Sequence, residues 1–209
     1  MKHIITSFLI FLLFNAHSQG LKLEQISLFG GKNFSTFIYK NSQGIKDKGY
    51  DLISLNTFGI NAGLTTGNNI FRPEIEIRQA GAKSLNMNGL ALSWKMNYLN
   101  FSMGYLYSVI RTERFSISPG IAIGYGYMLS GEQNIGEKRY SITETKSLSR
   151  HDLTCQAIAN FRAKLSQDLT LGLEYRFNAG IMQIENDITP QKTHNLSHAA
   201  ILVLGLRIK

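Results

Sequence analysis

The sequence predicts an all-β chain: an antiparallel transmembrane β-barrel of about eight strands, set behind an N-terminal signal peptide. Three observations predict it. Apolar residues alternate with small or polar ones at a period of two over much of the chain, as side chains do along a strand. The connections between these segments run alternately short and long, as in barrels with tight turns at one end and extended loops at the other. No apolar run approaches the roughly 20 residues that a membrane-spanning helix needs.

At the N-terminus, Lys2 and His3 precede the apolar run Ile4 to Phe14, which closes on Ala16, His17, Ser18 and Gln19. This is the layout of a secretory signal peptide, so residues 1–19 read as a cleaved leader and 20–209 as a single barrel domain. Export implies an oxidising compartment, yet the only cysteine is Cys155, which excludes an intramolecular disulfide framework. A composition of 44% hydrophobic and 17% charged residues with 3 Pro excludes general disorder. The net charge of +8 is scattered, without a basic run, and does not point to nucleic acid.

The strands follow in order. Two weaker segments, about 23 to 38 and 51 to 66, open the series. In the third, 70 to 80, Phe71, Pro73, Ile75 and Ile77 face one way while Arg72, Glu74, Glu76 and Arg78 face the other. The fourth, 90 to 110, changes parity between Tyr98 and Leu99, which predicts a β-bulge there. The fifth, 115 to 130, is nearly unbroken: Ile117, Ile121, Ile123, Tyr125 and Tyr127 alternate with Ser118, Gly120, Ala122, Gly124 and Gly126. Small inner residues suit a narrow barrel. In the sixth, 151 to 165, Leu153, Ala157 and Phe161 oppose Asp152, Thr154, Gln156, Asn160, Arg162 and Lys164, with Ile158 breaking the polar face. The seventh, 168 to 182, sets Leu171, Leu173, Tyr175 and Phe177 against Thr170, Gly172, Glu174 and Arg176. The eighth, 196 to 208, carries Leu202, Leu204 and Leu206 outward with Ile201 and Val203 inward. Threading the strands up and down places Phe71, Tyr105, Tyr107, Phe115 and Phe161 near one rim, and Trp94, Tyr125, Tyr127, Tyr175 and Phe177 near the other. Two such aromatic girdles border the lipid-facing band of outer-membrane barrels.

The stretches Phe29-Gly30-Gly31-Lys32-Asn33-Phe34-Ser35, Gly59-Ile60-Asn61-Ala62-Gly63-Leu64, Arg72-Pro73-Glu74-Ile75 and Pro119-Gly120-Ile121-Ala122-Ile123-Gly124-Tyr125 carry a family likeness. Over nearly all of the mature chain the sequence resembles the PorT-like outer-membrane β-barrel proteins of Gram-negative bacteria. The resemblance implies a role in the envelope, which in some relatives belongs to protein secretion or gliding machinery. The chain departs from the pattern by ending Leu206-Arg207-Ile208-Lys209, where outer-membrane barrels usually end in an aromatic residue.

Eight inward charges form the richest constellation: Arg72, Glu74, Glu76, Arg78, Arg162, Lys164, Glu174 and Arg176. Strands three and seven lie opposite one another in an eight-strand barrel, and buried charges are tolerated only when paired. The expectation is a plugged lumen spanned by ion pairs, with a small porin or selective channel as the alternative. A membrane-embedded lipid hydrolase would need a nucleophile bonded to an oriented base. Ser149, His151 and Asp152, or Ser197 with His198, are the nearest approach to one.

No cofactor, metal or catalytic residue is expected. The longest connection, Gly131 to Ser149, offers a candidate partner loop in Glu132, Glu137, Lys138, Arg139, Tyr140, Glu144 and Lys146. The expected role is that of a non-enzymatic, monomeric envelope component in the cell outer membrane, with membrane lipid and an envelope protein as partners.

Overall fold

A computed structural model of the chain describes residues 20–41, 43–47, 49–85, 89–145, 148–185 and 192–208. The expected signal peptide, 1–19, and Lys146 of the candidate loop lie outside the described residues.

Eight long strands form the barrel wall: β1 (Lys22–Lys40), β2 (Ile53–Thr66), β3 (Asn69–Leu85), β4 (Ala91–Tyr107), β5 (Phe115–Ile135), β6 (His151–Lys164), β7 (Leu169–Gly180) and β8 (Lys192–Arg207). Each pairs antiparallel with its neighbours in the chain, and β1 pairs with β8, so the sheet closes with no free edge. Closure satisfies the backbone N–H and C=O groups within the wall, a requirement where no water is at hand. The ladder is staggered. A path across paired residues leaves β1 at Asn33, passes Ala199, Arg176, Ile158, Gly120, Leu106, Ile70 and Thr65, and re-enters β1 at Lys22. That displacement is the shear which tilts the strands of a closed barrel.

Turn chemistry explains the hairpins. Gly67 (φ 58°) makes the tight turn from β2 to β3, and Gly136 (φ 58°) turns the outermost hairpin. Both need the left-handed backbone that glycine adopts without steric cost. Thr112 closes the β4–β5 turn by accepting from the Phe115 N–H at 3.0 Å. The short strand Ile110–Arg111 pairs there with Ile117 and Ser116, which tightens the connection between β4 and β5.

Four expectations are corrected. The loop Gly131 to Ser149 is largely ordered structure: β5 runs on to Ile135, Lys138–Ser141 folds back on it, and a one-turn helix, α1 (Ile142–Thr145), follows. The bulge lies in β5 and not in β4, since Tyr98 faces Met128 while Asn97 faces Ser130, leaving Leu129 extra. With β4 unbroken in phase, Trp94, Met96 and Tyr98 stay on the inner side, so Trp94 does not belong to the outer girdle. β8 begins at Lys192, well before the predicted 196, because its pairing with β1 persists up to Lys40.

The inner and outer faces invert the arrangement of a soluble protein. Ile121 is 66% exposed and Leu173 60%, both outward, whereas Arg72 is 2% exposed and Arg176 1%. An apolar outside around a polar inside is the profile of a transmembrane barrel.

Candidate functional site

The lumen is the place where chemistry concentrates, and it is built in three layers. Its middle layer comes from β3 and β7, whose even-numbered residues alternation aims inward. The register then sets opposite charges against one another across the barrel. Arg72 donates from Nη1 to Glu174 Oε2 at 2.5 Å and from Nη2 to Oε1 at 3.1 Å. Reciprocally, Arg176 donates to both oxygens of Glu74, at 2.5 and 2.9 Å, and its Nε bonds Glu174. Planar guanidinium forks match carboxylates in this two-bond geometry, which fixes orientation as well as charge. Neutral donors complete the layer: Asn160 to Glu174 at 2.6 Å, Asn100 to Glu76 at 3.1 Å, and the Thr57 hydroxyl to Glu76. The Phe29 ring lies under the Arg176 guanidinium, 4.6 Å from its centroid, a cation–π contact.

Slightly nearer the loop end, Arg78 pairs with Asp152 at 2.9 Å, and Asn195 donates to the same carboxylate at 2.9 Å. Alternation opposite Leu153 places Asp152 on the inner face, and it is fully buried there.

The loop-end layer is apolar. Phe37, Met96, Tyr98 and Met128 point inward from the strands, and Ile142 from α1 and Ile184 from the β7–β8 connection come down onto them, all buried. Phe37, Tyr50 and Trp94 pack edge-on or tilted against one another with centroids 5.7–5.8 Å apart. The connections thus cover the mouth with hydrocarbon.

The turn-end layer is open. Ile70, Leu106, Ala122 and Ile158 form an apolar patch on one side, which gives Ile158 its place on an otherwise polar face. Below it a cup of about 100 Å³ is lined by Gln25, Ser108, Ser116, Thr170 and Arg162 among others. Arg162 is half-buried and donates to Gln25 Oε1 at 3.3 Å. Lys164, expected inside, is exposed at the rim instead, because β6 ends there and the wall no longer encloses it.

Of the other candidates, Glu137, Lys138, Arg139, Tyr140 and Glu144 are exposed on the β5 hairpin and α1, and Arg139 approaches Glu132 at 3.6 Å. The hydrolase sets do not assemble. Ser149 Oγ accepts from the His151 backbone N–H at 3.1 Å, and His151 and Asp152 leave opposite faces of β6. Ser197 points inward to Asn178 while His198 points outward.

Outside, His151 bonds the Tyr125 hydroxyl and His198 the Tyr175 hydroxyl, each at 2.5 Å, in an aromatic girdle below the loops. At the other end Tyr105 bonds Asn69 at 2.7 Å beside Phe71. Across β1 to β5 runs a polar collar. Lys32 donates to Asn56 at 2.8 Å, the Asn56 backbone to Gln79 at 3.2 Å, Gln79 to Asn97 at 2.9 Å and Asn97 to Ser130 at 2.7 Å.

This geometry has a counterpart among solved structures. The outer membrane protein OprG from Pseudomonas aeruginosa superposes with a TM-score of 0.51 at 10% identity, over 91% of this chain and 98% of that one. The fold is that of an outer-membrane β-barrel. Neisserial surface protein A (TM-score 0.49, 10% identity, 88% of this chain and 98% of that one) and the outer membrane protease OmpT from Escherichia coli (0.49, 9%, 91% and 98%) are more distant in shape. No family model and no curated protein sequence matches the chain.

Proposed function

We propose that this chain is a non-enzymatic barrel of the outer membrane whose plugged lumen makes it a scaffold, with the loop-end hairpin and α1 as the surface offered to an envelope protein. The observation that carries this reading is the double closure of the lumen. The cross-lumen pairs Arg72–Glu174 and Arg176–Glu74 span its middle, and the Ile142 and Ile184 cap covers its mouth. A barrel of this width is filled by its own side chains, so the chemistry left for recognition stands on the loops. That chemistry is mixed in sign, with Glu137, Lys138, Arg139 and Glu144 around the exposed Tyr140. Tyr and Arg are the residue types that anchor protein interfaces. The PorT-like resemblance adds a narrower version: an accessory of secretion machinery.

Cross-linking and co-purification from native membranes test it, comparing the parent with a variant in which residues 136–141 are replaced by a two-residue turn. The variant is expected to insert, remain heat-modifiable on gels and lose a partner that the parent retains. A variant that keeps every cross-linked partner removes the hairpin from the working surface.

A further inference from the structure

The middle layer is closed by ion pairs and the loop-end layer by hydrocarbon, but the turn-end cup is open and predominantly basic. Five basic and two acidic side chains line it. One of the acids, Glu24, is already engaged, holding Arg111 at 2.7 Å and Arg207 at 3.3 Å. Arg162 Nε is buried and has no hydrogen-bond partner among the described residues. Arg114 and Lys164, beside it on the rim, make no ion pair among those residues. The surroundings otherwise supply short hydroxyl side chains, Ser116 and Thr170, and an apolar patch above.

We propose that this cup is a binding site for a single phosphate-class oxyanion. Five basic against two acidic side chains leave an excess of positive charge around one small cup, and an oxyanion supplies the missing negative charge. Low-dielectric barrel walls around this predominantly basic cluster focus its field toward the cup. The cup, about 100 Å³ and open at its mouth, has room for one tetrahedral group. The Arg162 fork suits phosphate geometry, with Arg114 and Lys164 as point charges at the entrance. The cup is blind, since Arg72 and Glu174 close the lumen above it, so the anion enters and leaves by the same mouth. Soluble phosphate and the phosphate of a neighbouring lipid headgroup offer the same chemistry.

Two measurements on the full barrel in phosphate-free maltoside detergent separate the sources. Calorimetric titration with inorganic phosphate at low salt reports the soluble anion, and native mass spectrometry after addition of phosphatidylglycerol reports the headgroup. Arg162→Gln is expected to weaken one of the two by at least ten-fold while heat-modifiability is unchanged, and Lys95→Gln, far up on β4, to leave both as they are. Loss of phosphate heat in Arg162→Gln assigns a soluble ligand; loss of retained lipid assigns a headgroup. Should Arg162→Gln fail to fold, the rim double variant Arg114→Gln/Lys164→Gln decides, with a several-fold loss expected. Absence of both signals in the parent, or binding indifferent to these variants, overturns the proposal.

Discussion

The two ends of the lumen start from the same wall and finish as opposites. At the loop end the inner face closes into hydrocarbon: Phe37, Met96, Tyr98 and Met128 sit under Ile142 and Ile184. At the turn end it opens into a cup with Arg162 half-exposed. The difference lies in the connections. A turn such as Gly67–Asn68 has no length with which to bring a side chain back over the mouth, whereas the hairpin and α1 after β5 reach inward far enough to bury Ile142. The closed end is therefore a folding unit, and the open end is a surface.

The sharpest way to break this contrast is to disturb the layer between the two ends. Arg176→Met takes from Glu74 its two-bond partner and leaves Arg72 as the one cation near both Glu74 and Glu174, and removing one partner from a buried ion-pair network costs about 3–5 kcal/mol. Urea unfolding in lipid vesicles, followed by gel mobility, is expected to show that loss, with partial recovery in the double variant Arg176→Met/Glu74→Gln. A single variant as stable as the parent would mean that the layer holds nothing together.

The cap comes next. Ile184→Ala deletes fully buried hydrocarbon and is expected to cost about 2–3 kcal/mol in the same assay. Planar-bilayer recordings should stay silent in this variant, since the ion-paired layer still closes the lumen beneath. Stable open-channel currents would show that the cap alone is the seal.

The smallest effect belongs to the open end. Lys164→Gln, at the exposed rim, is expected to change stability by less than about 0.5 kcal/mol. A larger loss would make the cup part of the folding unit and erase the contrast between the ends.

Period-two alternation carries most of what the sequence says. It assigns the inner face of β3 and β7, and with it Arg72, Glu74, Glu76, Arg78, Glu174 and Arg176, because a strand leaves no other choice. It does not say which guanidinium meets which carboxylate, since that depends on the stagger of the closed sheet, a sum over all eight pairings. The same limit explains Trp94. Its parity is readable from β4, but the extra residue that settles the phase lies on the facing strand, at Leu129. The β5 hairpin was hidden for another reason. Its residues, Glu132 to Ser141, are polar on both faces because both meet water, so no alternation marks them as strand. Asp152 is the reverse case: alternation with Leu153 already turns it inward, although it stands beside the polar Ser149 and His151 at the strand's end.

The collar from Lys32 to Ser130 works as a waterline. Below it the outer wall shows Phe58, Ile77, Leu99 and Phe101, and above it Ser54, Lys83, Ser93 and Lys95. Because the ladder is staggered, the line slopes: it starts level with the histidine girdle at β1 and climbs toward the far end of β5. Above it the flank of β3 and β4 shows Lys83, Ser93 and Lys95 to the outside, and the molecule acquires a front and a back that its cylindrical outline would not suggest.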